Sequence, residues 1–393
     1  MNMNIKLKAA LVAAAVLPWL AGCGGGIEGT GATAPGTMRL SITDAPACGY
    51  DAVHLTIEKV RVHKASTADD GDAGWSEVVL SPAKRVDLLT LTNGVLEELG
   101  QTALPAGKYT QMRLILAANG GVAPLANSVT PTGGAETALT TPSAQQSGLK
   151  LNVDMDVTSD KVADFAIDFD ACKSVVKRGN SGQYNLKPVV AVIPILSNAG
   201  LRVVGYVAPA IANTTTNVSV QFNGVPVKAT APDATGKFVL YPVPAGAYDL
   251  VVTATGRVTA VMTGVPVVST AFTNVNTAAL PIMPPAATVT ARAVTGTVTP
   301  ATATVRALQA LSGGPTVEVA WGSVDAVSGA FAFGLPIEAP VKGAYVANPV
   351  ALNFAADAAA AGKYSLQAAA GGVTKSLAVD ATAVVPPVTF TFP

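Results

Sequence analysis

The sequence predicts an all-β protein built as three consecutive β-sandwich-like domains. Three observations carry this prediction. Short runs rich in Val, Ile and Thr alternate apolar with polar residues and are punctuated by 37 glycines and 27 prolines, the texture of strands and turns. Half of the 393 residues are apolar and 13% are charged, so the chain has the apolar surface to fold and the length for two or three domains. A long phrase recurs in the second half at the spacing of whole domains rather than of solenoid units. Lys plus Arg number 25 and Asp plus Glu number 25. No stretch gathers basic residues, which excludes a nucleic-acid surface.

The elements follow in order. Lys6 and Lys8 precede an apolar run from Ala9 to Leu20, interrupted by Pro18. That length suits a signal peptide and is short for a membrane span. Leu20-Ala21-Gly22-Cys23 ends the run and resembles a bacterial lipobox. The resemblance implies that residues 1–22 are a lipoprotein signal peptide and that Cys23 is lipidated. Gly24 rather than Asp follows, which by the same resemblance implies an outer-membrane anchor, periplasmic or surface-facing. The alternative is a small-residue cleavage site with an incidental cysteine. Residues 23–37 then form the lipidated cysteine and a flexible glycine-rich tether, and two or more acyl chains would hold the protein stably at the membrane. No later segment reads as a spanning helix.

A first β domain is expected over 38–196. MRLSI (38–42) opens it and TDAP (43–46) turns it. In DAVHLTIEKVRVHK (51–64), Val53, Leu55 and Ile57 share one parity and Val60 and Val62 the other. That switch places a β-bulge near Glu58-Lys59. DDGDAGW (69–75) reads as a polar hairpin tip and lacks the spacing of a calcium loop. RVDLLTL (85–91) reads as a strand, NGVLEELG (93–100) as a hairpin or one or two helical turns, and LPAGKYTQMRLIL (104–116) as a turn into a long strand. LKLNVDMDV (149–157), VADFAIDFDA (162–171) and YNLKPVVAVIPI (184–195) complete the set. Residues 118–147, rich in Gly, Thr, Pro and Ser, read as a long exposed insertion.

Chemistry-bearing residues are few. With Cys23 lipidated, Cys48 and Cys172 remain, and an oxidising compartment favours a disulfide between them. A reactive thiol at Cys172 and two unpaired buried thiols are the alternatives. The first would need a base, and the chain has only His54 and His63. Two histidines without a carboxylate or thiolate at ligand spacing do not make a metal site, and neither a metal nor a cofactor is expected. Ser174-Val175-Val176-Lys177 matches the S-x-x-K spacing, but the two valines favour a strand, which would point Ser174 and Lys177 to opposite faces. Asp44, Arg113, Lys150, Asp168, Asp170 and Lys187 form a candidate polar cluster. It reads either as a cation or acidic-ligand site or as turn caps and structural ion pairs. Asp168 and Asp170 alternate with Ile167 and Phe169 and so share one face, expected to be the wetter one.

Seven motifs then fall in one order: TDAP, VHLTIEKVRVH, VDLLTLTNG, LPAGKYTQMRL, GLKL, DFDACKSVV and YNLKPV. Together they resemble the bacterial lipoprotein domain known as domain of unknown function 4382. The resemblance covers nearly all of 38–195 and implies an envelope protein with no assigned activity.

The second half carries the repeat. VVGYVAP (203–209) aligns with VTGTVTP (294–300), DATGKFVLYPV (233–243) with DAVSGAFAFGL (325–335), and VPAGAYDLVVTATG with AAAGKYSLQAAAGG. PAGKYTQMRL (105–114) echoes the last pair. The offset between copies grows across 336–358, which reads as an insertion. The first copy, with its Asn-Gly hairpin in VQFNGVPVKA, resembles the carboxypeptidase regulatory-like module. That resemblance implies transthyretin-like β-sandwiches at 201–285 and, as a degenerate copy, 286–393. Modules of this kind are grouped with carbohydrate-binding-like folds, so a sugar ligand follows by fold-level analogy.

These readings converge on a non-catalytic envelope lipoprotein with a structural, adhesive or ligand-binding role. Its partners would be the membrane through the lipid and, beyond that, carbohydrate or other envelope proteins. The competing readings are a carbohydrate-binding surface protein and an enzyme using the acidic residues of the first domain. Carboxylates converging on a pocket would favour the enzyme, and aromatic faces along a groove would favour the sugar binder.

Overall fold

Met38, Leu40 and Ile42 alternate along the first strand and are fully buried, and the same period of two recurs through the chain. The computed structural model describes residues 34–44, 49–142, 147–196 and 200–393. The expectations for the signal peptide, Cys23, the tether up to residue 33 and Cys48 lie outside the described residues. The regular structure of the described residues is almost entirely strand, with one four-residue helical turn and three short 3-10 turns, as the alternation predicts.

The first body contains β1 (Gly36–Asp44), β2 (Tyr50–His63), β3 (Ser76–Asp87), β4 (Glu97–Leu104), β5 (Gly107–Leu116), β6 (Ser128–Pro131), β7 (Thr137–Thr140), β8 (Leu149–Val157) and β9 (Val162–Phe169). A single helical turn α1 (Ala171–Ser174) then leads to β10 (Val175–Lys177), β11 (Tyr184–Leu186) and β12 (Val190–Pro194). One sheet runs β12-β9-β1-β4; the other runs β10-β11-β7-β6-β2-β5-β8, with β3 also on β2. Their facing sides close one core around Met38, Leu40, Leu55, Ile57, Met112, Ile167 and Phe169. The register shift between Ile57 and Lys59 is the bulge read from the parity switch.

Four expectations are corrected here. Residues 118–147 are not a plain exposed insertion: β6 and β7 lie within them, and Val129 and Leu139 are fully buried. The segment is held by amide side chains, Asn119 donating to the Asn127 and Leu139 carbonyls at 3.0 Å each. RVDLLTL is a strand only to Asp87, whose carboxylate caps a 3-10 turn over Leu88–Thr90. NGVLEELG forms neither hairpin nor helix: it enters β4 at Glu97. YNLKPVVAVIPI is two strands in different sheets, because Pro188 has no N–H for a ladder.

The second body contains β13 (Val203–Tyr206), β14 (Asn217–Phe222), β15 (Val225–Thr230), β16 (Lys237–Leu240), β17 (Gly246–Thr253), β18 (Ala260–Val267) and β19 (Thr273–Asn274). The third contains β20 (Arg292–Thr299), β21 (Thr304–Ala310), β22 (Thr316–Gly322), β23 (Ala330–Leu335), β24 (Val341–Ala344), β25 (Ala355–Ala356), β26 (Lys363–Ala370), β27 (Val373–Asp380) and β28 (Val388–Thr391). Their topologies coincide. Sheet β16-β13-β19 matches β23-β20-β28, and β15-β14-β17-β18 matches β22-β21-β26-β27. The Asn223-Gly224 turn joins β14 to β15 with both residues at positive φ, as an Asn-Gly hairpin requires.

The aligned glycines do the same work in both copies. Gly205 lies under the Phe238 ring and Gly296 under the Phe331 ring; an added Cβ would come within 2.4 Å of either ring. Gly236 and Gly329 both have positive φ, and a Cβ on either would meet a strand carbonyl at 2.1 Å. The tyrosine phrase also has a physical basis. The Tyr109 and Tyr248 hydroxyls donate back to the Pro105 and Pro244 carbonyls at 2.9 Å. Tyr364, with Ala360 in place of that proline, donates to Pro336 at 2.6 Å instead.

The 336–358 insertion crosses over. Its strands β24 and β25 extend the second body's sheet, β24 running parallel to β18. Val251, Val261, Leu311, Val317 and Ala360 form a small apolar core between the two repeats. Residues 34–393 therefore constitute one unit.

Replacing Gly236 or Gly329 with Ala should cost at least about 2–3 kcal/mol, through positive φ and the clash with Val207 or Val298 oxygen. Gly313→Ala shares positive φ but faces open space, and should cost only about 1 kcal/mol. Urea unfolding followed by tryptophan fluorescence would separate the two outcomes.

Candidate functional site

The three bodies meet over a cavity of about 780 Å³. The first body contributes Tyr50, Tyr184 and Lys177. The second contributes Asn217, Ser219 and Gln221 from one face of β14. The third contributes Glu318 and Trp321 from β22. Period two explains the wall on β14. Val218 and Val220 fill the second core, so Asn217, Ser219 and Gln221 point away from it and into the junction. On β23 the same parity puts Phe331 and Phe333 inward and leaves Ala330 and Ala332 on the outer face. Those small residues make room for an adjoining cavity of about 430 Å³ that shares Tyr50, Lys177, Ser323 and Ala332 with the first.

Lys173, Asp170, Glu318 and Arg306 form a charge network at the junction. Lys173 Nζ lies 2.7 Å from Glu318 Oε1, 3.7 Å from Asp170 Oδ2 and 4.8 Å from the centre of the Trp321 ring. Arg306 approaches the other Glu318 oxygen at 3.4 Å. Gln221 exchanges two hydrogen bonds with the backbone of Glu318, at 2.8 and 2.7 Å. Further into the seam between the first and second bodies, Lys228 contacts Asp168. Thr43 and Asp168 are register partners on parallel strands β1 and β9, and both face the second body.

The aspartates divide by role. Asp170 caps α1 by accepting from Lys173 N at 3.0 Å, and Asp44 accepts from Ala171 N at 2.9 Å. Burial pushes the Asp44 carboxyl well above the usual carboxylate range, against the pull of the Ala171 hydrogen bond. Burial also raises Asp170, with Lys173 opposing it. Lys187 donates to the Ala303 carbonyl of the third body at 2.5 Å, and burial lowers its ammonium to about 8.

Of the six candidates, the structure brings Asp44, Asp168 and Asp170 together and places Lys187 on a neighbouring seam. Arg113 and Lys150 are elsewhere. Arg113 donates to the Ala68 and Ser147 carbonyls at 2.8 and 3.0 Å and stacks at 4.9 Å on Trp75, while Lys150 is exposed on β8. Asp168 and Asp170 do not face solvent as expected; the downstream bodies cover them. Ser174 begins no catalytic turn: it ends α1, is buried, and accepts from Val189 N at 2.8 Å. Cys172 is engaged rather than free.

His54 approaches Ser128 at 3.5 Å and Glu136 at 3.7 Å. Both use the same ring nitrogen, whereas a hydrolytic triad needs the acid and the serine on opposite ones. Among the described residues no group of three or more His, Cys, Asp or Glu could hold a metal ion, and no helix is long and apolar enough to cross a membrane.

Lys228, Lys173, Glu318 and Trp321 escaped the sequence reading, although two left a signal. Lys228 is the only charged residue between Arg202 and Asp233, and Glu318 the only one between Arg306 and Asp325. A lone charge on an apolar strand needs a partner from elsewhere.

Residues 35–188 match the family described as Domain of unknown function (DUF4382). None of the curated proteins matches the chain. Two solved cohesin-X-dockerin complexes of Acetivibrio cellulolyticus, interface mutants of the type II complex, are similar over 22% of this chain and 59% of theirs. Their identities are 26% and 25% and their TM-scores 0.20 and 0.19. The TIE protein of Bacillus anthracis matches over 91% of this chain and 50% of its own, at 11% identity and a TM-score of 0.16. This chain thus spans less than two thirds of each of these proteins.

A buried carboxyl with a raised pKa contributes stability below its unfolded value, and that contribution is lost as pH rises towards its folded value. Asp44→Asn keeps the acceptor for Ala171 N and removes this loss. The variant should therefore melt above the native protein at neutral pH, and the gap should close near pH 4 and below. A gap that widens on acidification would show that Asp44 is ionised in the fold. Thermal melts across that range test it.

Proposed function

We propose that this protein is a non-catalytic, lipid-anchored envelope protein that binds a ligand in the cavity where its three β bodies meet. The observation that carries the reading is that cavity, with aromatic side chains from the first and third bodies and a neutral polar strand face from the second. Sites of this size with a few placed polar groups are typical of small-ligand binding. Asp168, Asp170 and Glu318 around it are occupied as caps or ion pairs, and Asp44, whose Oδ2 is buried without a hydrogen-bond partner, does not line it, which supports binding over catalysis. Carbohydrate is the ligand class favoured by Trp321, Tyr50 and Tyr184 beside Asn217 and Ser219, since sugars offer apolar ring faces and many hydroxyls.

The anchor belongs to the same reading. Cys23 carries the lipid, the outer membrane is the location, and a Cys48–Cys172 disulfide ties the segment that follows β1 to the helical turn after β9.

Titration with soluble malto- and chito-oligosaccharides should quench Trp321 fluorescence, and Trp321→Ala should weaken binding about tenfold, the scale of one aromatic contact. Binding unchanged in both Trp321→Ala and Asn217→Ala would put the ligand elsewhere and sink the cavity reading. Cys23→Ser should release the protein from membranes, and non-reducing peptide maps should join the Cys48 and Cys172 peptides. Two free thiols there would remove the bridge.

A further inference from the structure

Lys228 is an unusual lysine. Its side chain is 1% exposed, it contacts Asp168 Oδ1, and Asp168 is itself 11% exposed. Its other neighbours are oxygens, Thr43 Oγ1 at 3.4 Å and the Asp44 carbonyl at 3.5 Å. Both reacting groups are fixed by sheets. Asp168 is set by its pairing with Thr43 between β9 and β1, and Lys228 by its pairing with Val220 between β15 and β14.

Such a site favours covalent closure. In a dry seam, separated charges lose their hydration, and amide formation removes both charges at once. The neutral amine is a nucleophile. Two groups held in contact react as if at very high concentration. The exposed pair Lys363–Asp380, with side chains 57% and 43% accessible, has the same functional groups in contact but stays hydrated.

We propose that Lys228 and Asp168 form an intramolecular amide that ties the second body covalently to the first. One ammonium proton passes to the Asp168 carboxylate, and the freed Lys228 Nζ lone pair attacks Asp168 Cγ. The Nζ–Cγ bond forms, one Cγ–O bond breaks, and that oxygen leaves as water with two protons from the ammonium. Ammonium plus carboxylate give amide plus water, so no oxidant, nucleotide or cofactor enters the balance. The remaining amide N–H keeps the Thr43 hydroxyl and the Asp44 carbonyl as acceptors.

Tryptic mapping of the reduced and alkylated full chain tests this. The expected product is a branched species joining Val162–Lys173 to Val203–Lys237, uncut after Lys228 and lighter by one water than the two peptides together. Peptides spanning Lys363 and Asp380 should stay linear in the same digest. Lys228→Arg keeps the charge but cannot give this amide under these conditions, and should abolish the branched species, as should Asp168→Ala. Recovery of the separate linear peptides from the native protein, with full cleavage after Lys228, would overturn the proposal.

Discussion

The contact between Lys228 and Asp168 is the constraint on which the arrangement of the bodies depends. A lysine that is almost fully buried accepts few geometries, because a displaced partner leaves a charge without solvent. It therefore sets register as well as attraction between the first two bodies. Beside it, the Asn93 side chain acts as an extra rung on the edge of β16. Its oxygen accepts from Val239 N at 2.5 Å and its amide donates to the Lys237 carbonyl at 3.4 Å. The third body is seated by equally directional contacts, from Lys173 and Lys187 of the first. The junction cavity is the space these contacts leave open.

Several of these residues come from the motifs that resemble the unknown-function family: Asp44 from TDAP, Asn93 from VDLLTLTNG, Asp168 and Lys173 from DFDACKSVV, and Lys187 from YNLKPV. Their partners Lys228, Val239, Glu318 and Ala303 all lie beyond residue 188, where the family match ends. In this chain, residues that look like a polar site within one domain serve as docking points for the next two. That accounts for an acidic cluster with no metal geometry among the described residues and with its carboxylates already satisfied or buried.

Local features were legible in advance and long-range ones were not. The bulge at Glu58, the Asn-Gly hairpin and the repeat glycines depend on a few adjacent residues, and each was placed from sequence. Strands β6 and β7 were missed because each is only four residues long and the order around them comes from Asn119 and Asn127 side chains. The split at Pro188 was readable from proline's missing N–H but was masked by the apolar run around it. At the candidate site, the aspartates were visible as an alternating pair. Their neighbours were not, because Lys228 and Glu318 lie 60 and 148 residues downstream of Asp168 and Asp170 respectively.

The crossover strand has a mechanical meaning. β24 belongs by sequence to the third repeat but is hydrogen-bonded to the second along Ala260–Thr263 and Val341–Ala344. Tension along these parallel strands would load their hydrogen bonds in shear, so that they resist as a group instead of opening in succession. Resistance to force depends on the rate of unfolding rather than on equilibrium stability. A chain wired in this way transmits a pull from one repeat to the next through a sheet, not through a linker.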